Sequence, residues 1–254
     1  MPSILTYHKI GRQFEVGISS ITRERFARHL DLLEGLGRPF ARASDTALAD
    51  GNPRDPIAIT FDDGYESAYT EAFPEMSARG IVGTVFPVVG AIGGCNAWDI
   101  RLSVRPFKHL SWREIRELAR HGFEIGSHTL SHRGLTWLGD QRLSIEMSDS
   151  RKKLEDAIGV RVTSIAYPFG MVNRRVLDAA ERAGYRCGFA SYPVAGLTRR
   201  NGAGPMCVGR MSVHMMDGGA SILRKAGAAP GYNLEVVKNT VIAFLSRGAT
   251  LVKR

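Results

Sequence analysis

The sequence lacks the features that mark disulfide-rich, membrane-spanning and disordered chains. It has only three cysteines, an odd number without close pairing, which argues against a disulfide framework and predicts reduced thiols. No segment approaches the roughly 18 apolar residues of a membrane span. A hydrophobic fraction of 44% over 254 residues suffices for a substantial core and excludes disorder of the chain as a whole.

The N-terminal residues 1–9 also lack a basic leader followed by a long apolar stretch. This pattern predicts that no signal peptide is present, and therefore a cytoplasmic location. An extracytoplasmic location is expected instead if an upstream segment has been trimmed.

Negative charge is scarce relative to positive charge, with a net charge of +9 and a pI near 9.8. Such a balance suits contact with an anionic polymer, membrane headgroups or nucleic acid and does not choose among them. The basic residues are scattered, and their densest run, 151–153, falls in a periodic helix that we interpret as a solvated face. Without an aromatic-plus-basic signature or zinc-finger spacing, we expect no nucleic-acid partner.

Short apolar runs alternate with amphipathic stretches along the whole chain. We predict strands at 3–8, 56–61, 81–88, 123–127, 163–168, 186–190 and 207–213. We predict helices at 22–34, 66–79, 111–121, 140–158, 172–183 and 234–246. Most strand candidates are continuously apolar, as expected of strands covered on both faces. The alternation without a linker predicts one α/β domain over residues 1–254, with a parallel sheet closed or nearly closed into a barrel.

Several residues predict where the helices end. Ser111 and Glu114 form a capping-box pattern. Gly248 is expected to stop the last helix, as Gly122, Gly159 and Gly184 stop earlier ones. Pro74 is expected to end or kink the helix at 66–79. Two long loops remain, 89–110 and 215–232, and the second is Gly/Ala-rich, so that it is either a mobile lid or disordered.

Polar residues with metal-binding or catalytic chemistry fall at the C-terminal ends of the predicted strands, where parallel barrels place their active sites. These residues are His8, Asp62, Asp63, His128 and Pro168. Neighbouring strand residues point opposite ways, so one aspartate can bind a metal while the other faces its water. The alternative interpretation of Asp-Asp-Gly is an ordinary turn.

His128 and His132 are four residues apart, so both side chains can reach one ion. Two imidazoles and one carboxylate leave a position open for water, as catalytic zinc requires. The zinc-protease helix motif has a glutamate base after its first histidine, but that position here is Thr129. The base must come from elsewhere, and Asp62 is the obvious supplier. The alternative is a pair of surface histidines in a loop.

The other histidines carry weaker signals. His8 and His214 each follow a predicted strand, where a histidine is usually packed or solvated. His29, His109 and His121 are interpreted as structural. The turn at 167–170, Tyr-Pro-Phe-Gly, has the rigidity to aim a backbone N–H at a developing oxyanion.

Taken together, these residues resemble the polysaccharide deacetylases, carbohydrate esterase family 4, named for the nodulation-protein-B homology domain. The matching motifs are Thr-Phe-Asp-Asp-Gly at 60–64, Ser-His-Thr-Leu-Ser-His at 127–132 and Tyr-Pro-Phe-Gly at 167–170. They cover roughly residues 55–215 in order, and the long helix before the third motif is also typical.

The resemblance implies a distorted (β/α)7 barrel with one divalent metal, most often zinc, and with cobalt, nickel and other first-row ions as alternatives. The implied ligands are Asp63, His128 and His132, and the implied general base is Asp62. The implied reaction is hydrolysis of N-acetyl groups, usually on N-acetylglucosamine units, with release of acetate. The backbone N–H of Phe169 is the implied oxyanion donor.

The chain departs from the family pattern at two positions. The arginine that commonly tethers the base aspartate is replaced by Ala166, and Arg210 on the last predicted strand is a candidate substitute. The usual acid histidine belongs to a Leu-x-His motif, whereas His214 follows Ser-Val. The opening Leu-Thr-Tyr-His resembles a circularly permuted branch, including exopolysaccharide deacetylases, in which the acid lies on the first strand. We therefore favour His8 over His214.

Tyr65, Tyr167 and Pro168 are expected to line the substrate groove. The expected partner is a carbohydrate, and the basic charge suits an anionic or membrane-associated glycan. Three other functions stay open: O-deacetylation, deformylation of a lipid-linked amino sugar, and carbohydrate binding by a catalytically silent barrel.

Overall fold

The computed structural model describes residues 3–11, 19–47, 55–95, 107–192 and 205–251, with side chains described as far as residue 243. The strands in these ranges are β1 (Ser3–Tyr7), β2 (Lys9–Gly11), β3 (Ser20–Thr22), β4 (Ile57–Asp63), β5 (Thr84–Pro87), β6 (Glu124–Ile125), β7 (Ser164–Ala166), β8 (Cys187–Ser191) and β9 (Val208–Ser212). The α-helices are α1 (Arg23–Glu34), α2 (Ala43–Ala47), α3 (Phe73–Ser77), α4 (Trp112–Arg120), α5 (Asp140–Ile158), α6 (Arg174–Arg182), α7 (Gly219–Lys225) and α8 (Tyr232–Leu251).

Seven strands form one parallel sheet in the order β6-β5-β4-β1-β9-β8-β7, while β2 and β3 pair separately. The edge strands β6 and β7 meet at a parallel bridge between Ser127 and Ile165. There the Ser127 N–H donates to the Ser164 carbonyl at 2.9 Å, and the Ala166 N–H donates to the Ser127 carbonyl at 2.8 Å. The sheet is therefore nearly closed, and the predicted distorted (β/α)7 barrel is confirmed.

Buried side chains cover both faces of the sheet, as the continuously apolar strands predict. Along β1, Ile4 belongs to a small cluster with Phe86 and Phe189, whereas Leu5 and Tyr7 belong to the larger cluster. Because successive strand residues point to opposite faces, the two clusters lie on opposite sides of the sheet. This burial stabilises the strands in their register. Because the strands are parallel, the polar residues at their C-terminal ends lie together at one rim of the barrel.

The helices largely follow the prediction, and local chemistry explains their bounds. Helix α5 has the bounds predicted from its periodicity and ends at Gly159, whose φ is 74°. Helix α4 has the predicted capping box: Ser111 Oγ accepts the Glu114 N–H at 3.3 Å, and Glu114 Oε2 accepts the Ser111 N–H at 2.7 Å.

Three expectations about the helices need correction. The segment predicted as a helix at 66–79 is a π-helix at Ala68–Ala72 followed by α3, and Pro74 lies in the first turn of α3, where no intrahelical N–H is required. The 215–232 loop contains the helix α7. The last helix continues past Gly248, because one glycine costs a helix only about 1 kcal/mol. Of the 89–110 loop, residues 96–106 lie outside the described ranges.

Within the described ranges, no helix combines the length and hydropathy needed to cross a membrane.

Buried His29 on α1 makes the stability of the fold depend on pH. Its Nδ1 lies 3.1 Å from the Tyr7 hydroxyl, and burial lowers the pKa of His29 from 6.5 to about 4. Between these values the unfolded chain binds a proton that the folded chain does not. The His29 contribution is therefore complete above pH 6.5 and is lost as the pH falls toward 4, by on the order of 3 kcal/mol.

We therefore expect the free energy of unfolding of the wild type to fall over this range more steeply than that of His29→Gln. Urea titrations from pH 4 to 7.5 measure the difference. His121→Gln, at an exposed site, is the matched control and should parallel the wild type. Parallel curves for wild type and His29→Gln would contradict the expectation.

Candidate active site

The three expected metal ligands meet at the rim formed by the strand ends. Asp63 is the last residue of β4, and His128 and His132 belong to the loop after β6. Asp63 Oδ1 lies 3.4 Å from His128 Nε2 and 3.3 Å from His132 Nε2. One ligand atom from each residue lies within 4.8 Å of the others.

These separations suit a divalent ion. Tetrahedral zinc with bonds of about 2.0–2.1 Å holds its nitrogen and oxygen ligands roughly 3.3 Å apart. All three side chains are at most 9% exposed, so little water competes for the ligand atoms. Two imidazoles and a carboxylate form a donor set that zinc and other first-row ions accept.

A second contact orients the first imidazole. His128 Nδ1 lies 2.8 Å from the Ala166 carbonyl oxygen, which can only accept, so Nδ1 carries the proton. Nε2 is left with its lone pair directed at Asp63 and His132, which is the tautomer that a metal requires. The bridge between β6 and β7 places this carbonyl, so closure of the barrel also sets the imidazole.

Left-handed backbone is concentrated at this rim. In the described part of the chain, the non-glycine residues with positive φ are Asp63 (66°), Thr129 (67°), His132 (55°) and Phe169 (58°). Each such residue costs about 1–3 kcal/mol and persists only where its surroundings impose it. Two of the four, Asp63 and His132, are expected metal ligands. Their unfavourable backbone conformation therefore indicates that this rim is built for function rather than for stability.

Asp62, the expected base, is held by Arg210 from β9. The guanidinium binds both carboxylate oxygens, with Nη1 2.8 Å from Oδ1 and Nη2 2.6 Å from Oδ2. Nη1 also donates to the Thr60 hydroxyl at 3.1 Å. Both side chains are buried, so the Arg210 guanidinium occupies the tethering position that Ala166 cannot supply.

The charges of the rim keep both aspartates ionised. Burial raises the pKa of Asp62, but Arg210 and, to a smaller degree, His128 outweigh it and hold that pKa below its usual value. Burial likewise raises the pKa of Asp63, and the histidines His132 and His128 more than reverse the effect. Burial lowers the pKa of His128, but the two aspartates outweigh this effect, so the pKa of His128 lies above its usual value.

Of the two candidate acids, His8 interacts with this pair of carboxylates, whereas the contacts of His214 are with Asp217. His8 follows β1, the neighbour of β4, and its imidazole interacts electrostatically with Asp62 and Asp63. His214 follows β9, and its backbone N–H donates to Asp217 Oδ2 at 2.8 Å. Burial, reinforced by Lys225, lowers the pKa of His214 to about 4.

The turn at 167–170 lies against His132, the second histidine expected to bind metal, with the Phe169 ring centroid 4.6 Å from that of His132. Tyr167 is buried and donates its hydroxyl to the Met206 carbonyl at 2.9 Å, and Pro168 is also buried. Tyr65 is 2% exposed and stacks on His109 at 5.0 Å between ring centroids. These residues form the support beneath the rim, and contact of Tyr65, Tyr167 or Pro168 with a sugar stays a prediction.

The sequence analysis missed one residue at the site, Glu146, and interpreted another, His109, as structural. His109 Nδ1 lies 3.0 Å from the backbone carbonyl oxygen of Asp63, an expected ligand with a left-handed backbone. Glu146 on α5 is fully buried and binds the loop between the two histidines. A signal for Glu146 was present, because it lies beside Leu143, Met147 and Ser150 on the buried face of α5.

Comparison with known proteins agrees with this geometry. The sequence profile of the polysaccharide deacetylase family matches residues 49–188, more than half of the chain. The chain belongs to this family, carbohydrate esterase family 4. YxkH of Bacillus subtilis (strain 168), named as a polysaccharide deacetylase, is 31% identical over 196 residues, which are 76% of this chain and 65% of YxkH.

More distant relatives carry a more specific name. The poly-beta-1,6-N-acetyl-D-glucosamine N-deacetylase of Staphylococcus aureus (strain N315) is 26% identical over 147 residues, which are 54% of this chain and 48% of that protein. The chain therefore spans less than two thirds of the length of the curated relatives it matches.

Solved structures of this polysaccharide deacetylase fold extend the likeness along the chain. IcaB from Ammonifex degensii superposes with a TM-score of 0.72 at 23% identity, over 89% of this chain and 96% of IcaB. The Streptococcus pyogenes deacetylase PplD, solved in complex with acetate, superposes with a TM-score of 0.71 at 20% identity, over 88% of this chain and 96% of PplD. At these identities the likeness establishes the fold.

Proposed function

We propose that this chain is a metal-dependent hydrolase that removes N-acetyl groups from N-acetylglucosamine-type units of a poly- or oligosaccharide. The products are acetate and a free amine on the sugar. The observation that carries the proposal is the convergence of Asp63, His128 and His132 within 4.8 Å, beside a buried Asp62 carboxylate. The name of the staphylococcal relatives favours an amide substrate over an ester.

Asp63, His128 and His132 would hold the ion, most consistently Zn²⁺, with Co²⁺ and Ni²⁺ suited to the same donors. A bound divalent ion supplies Lewis acidity, which polarises the acetamide carbonyl and lowers the pKa of water. The Ala166 carbonyl holds the His128 ring in the tautomer that leaves Nε2 available.

Asp62 is the general base in this scheme and takes the proton of the attacking water. The two-point contact with Arg210 fixes the plane of the carboxylate while lone pairs remain on both oxygens. Because Arg210 keeps Asp62 ionised, the base is in its active form at neutral pH.

The turn at 167–170 supplies an oxyanion donor in the form of the Phe169 backbone N–H. Phe169 has a left-handed backbone, with φ of 58°, and its ring packs on His132, one of the proposed ligands. This contact places the turn beside the proposed metal site, and the scheme assigns the Phe169 N–H to the carbonyl oxygen that gains negative charge.

His8 is the proposed general acid, which protonates the leaving sugar nitrogen. Burial lowers the pKa of His214 to about 4, so at neutral pH it is rarely the imidazolium that would donate a proton in this step. We therefore expect His8→Ala to lower kcat by about 10²–10⁴-fold and His214→Ala to lower it much less. Acetate release from an N-acetylglucosamine oligomer measures both. An inactive His214→Ala beside an active His8→Ala would reassign the acid.

Product analysis after metal reconstitution tests the function. The chain is stripped with a chelator, reloaded with Zn²⁺ and incubated with β-1,6-linked and β-1,4-linked N-acetylglucosamine oligomers, with His132→Ala as a parallel control. We expect equal amounts of acetate and primary amine, lost on chelation, restored by Zn²⁺ and absent from the control.

The other candidate functions have different products. Acetate without a new amine, from an O-acetylated sugar only, would indicate an O-deacetylase. Formate from an N-formyl amino sugar would indicate a deformylase. Oligomer binding without any product would indicate a silent carbohydrate-binding barrel and overturn the proposal.

A further inference from the structure

A buried carboxylate on α5 reaches the loop that carries both metal histidines. Glu146 Oε2 accepts the Leu130 N–H at 3.0 Å and the Ser131 N–H at 2.8 Å. Its other oxygen, Oε1, accepts the Ser131 hydroxyl. A single side chain therefore binds three donors from two consecutive residues between His128 and His132.

The surroundings of Glu146 make this contact more than incidental packing. The Glu146 side chain is fully buried, and it pairs with the half-exposed Arg142 only at 3.6 Å between Nε and Oε1. A buried carboxylate is costly unless several donors satisfy it, and here the loop supplies them. The buried Glu146 carboxylate is therefore satisfied only when the loop has this conformation.

That conformation is strained on both sides of the contact. Thr129 precedes Leu130 with φ of 67°, and His132 follows Ser131 with φ of 55°. The opposite side of the loop is also tied, because its carbonyls at Thr129 and Leu130 accept the N–H groups of Val89 (3.1 Å) and Gly90 (2.8 Å). A Cβ at Gly90 would lie 2.6 Å from the Leu130 oxygen, so the approach is close.

From these contacts we infer that Glu146 is a positioning residue that sets the His128–His132 loop for metal binding before the metal arrives. The inference rests on the proposed function, because it takes Asp63, His128 and His132 as the ligands. Without the three acceptor contacts, the loop relaxes out of its left-handed conformation. His132 Nε2 then leaves its position 3.3 Å from Asp63 Oδ1.

The helix offers a matched control for a purely structural role. Glu155 lies on the same helix and its Oε1 accepts a backbone N–H, that of Val162, at 2.9 Å. It also pairs with Arg151 at 3.0 Å. Glu155→Gln therefore perturbs the same kind of contact on the same helix, away from the metal loop.

The role of Glu146 is tested by measuring the zinc affinity of the full chain and of its variants. Apo wild type, Glu146→Ala, Glu146→Gln and Glu155→Gln are titrated with Zn²⁺ by calorimetry, and the absorption of the Co²⁺ forms is recorded. We expect the zinc dissociation constant of Glu146→Ala to rise about 10–100-fold, as is typical when a group behind the ligands is lost. Glu146→Gln, which keeps one acceptor oxygen, should lie in between, and Glu155→Gln should match the wild type.

The outcomes separate this inference from the proposed function. If Glu146→Ala does not fold, Glu146→Gln decides, because its amide keeps the size of the side chain. Wild-type zinc affinity and Co²⁺ absorption in the Glu146 variants would overturn the inference. If His132→Ala also binds zinc like the wild type, the metal site itself is wrong and the proposed function fails with it.

Discussion

Asp62→Asn is expected to lower kcat by about 10²–10⁴-fold while zinc still binds, because asparagine keeps the shape of the side chain but cannot accept the proton of water. The hydrogen bonds that hold the Asp62 carboxylate come from Arg210 on β9, so the loss of its charge should leave the proposed ligand set intact. Acetate release and zinc calorimetry on the same preparation measure the two effects separately.

Asp63→Asn is the matched control for this experiment, since the neighbouring carboxylate is the one 3.3–3.4 Å from the two imidazoles. We expect Asp63→Asn to lose zinc affinity and activity together. A fully active Asp62→Asn would rule out the base assignment. An Asp62→Asn that had lost zinc would place Asp62 among the ligands and require a different base.

Arg210→Met is expected to lower the free energy of unfolding by about 3–5 kcal/mol at pH 7, because it leaves the buried Asp62 carboxylate without its counterion. Arg210 is 2% exposed and Asp62 is 6% exposed, so solvent cannot replace the guanidinium. The guanidinium also lies 5.2 Å from the Phe86 ring and 5.7 Å from the Phe189 ring, so a flexible apolar side chain keeps part of the packing. Urea denaturation of the metal-free chain measures the loss.

Two further variants make the Arg210 result specific. The double variant Asp62→Asn/Arg210→Met removes the unpaired buried carboxylate, so it should recover much of the free energy of unfolding lost in Arg210→Met. A double-mutant cycle measures this recovery as a coupling energy between the two residues. Arg175→Met breaks the exposed pair with Asp140 (2.8 Å) and should cost only about 0–1 kcal/mol. Equal losses for Arg210→Met and Arg175→Met would show that burial of the Asp62 pair contributes nothing.

The difference in the free energy of unfolding between wild type and Arg210→Met is expected to depend on pH. Since the pKa of Asp62 lies below its ordinary 3.8 in the fold, its stabilisation is present above about pH 4 and is lost as the pH falls below that value. The difference between wild type and Arg210→Met should therefore shrink in acid.

The secondary structure was predictable wherever burial and helix-end chemistry agreed. The bounds of α5 follow from its apolar stripe and Gly159, and the start of α4 follows from Ser111 and Glu114. Prediction failed at Gly248, which does not end α8, because one glycine costs a helix only about 1 kcal/mol. The helix predicted at 66–79 does change next to Pro74, where the π-helix at Ala68–Ala72 is followed by α3.

The three expected metal ligands and the expected base could be named from the sequence because each lies at the C-terminal end of a parallel strand or in the loop that follows. Asp62, Asp63, His128 and His132 are such residues, and a parallel barrel brings strand ends to one rim whatever the loops do. Local sequence and strand direction together are therefore sufficient to name them.

The sequence offered Arg210 only as a candidate tether for Asp62 and gave no role to Glu146, and the tertiary structure decided that these two side chains hold the site in place. Arg210 is 148 residues from Asp62 and reaches it because β9 and β4 flank β1 in the sheet. Glu146 reaches the histidine loop because α5 packs its buried face there. Such contacts depend on strand order and helix docking, which arise from the summed burial of the whole chain, and no short stretch of sequence encodes them.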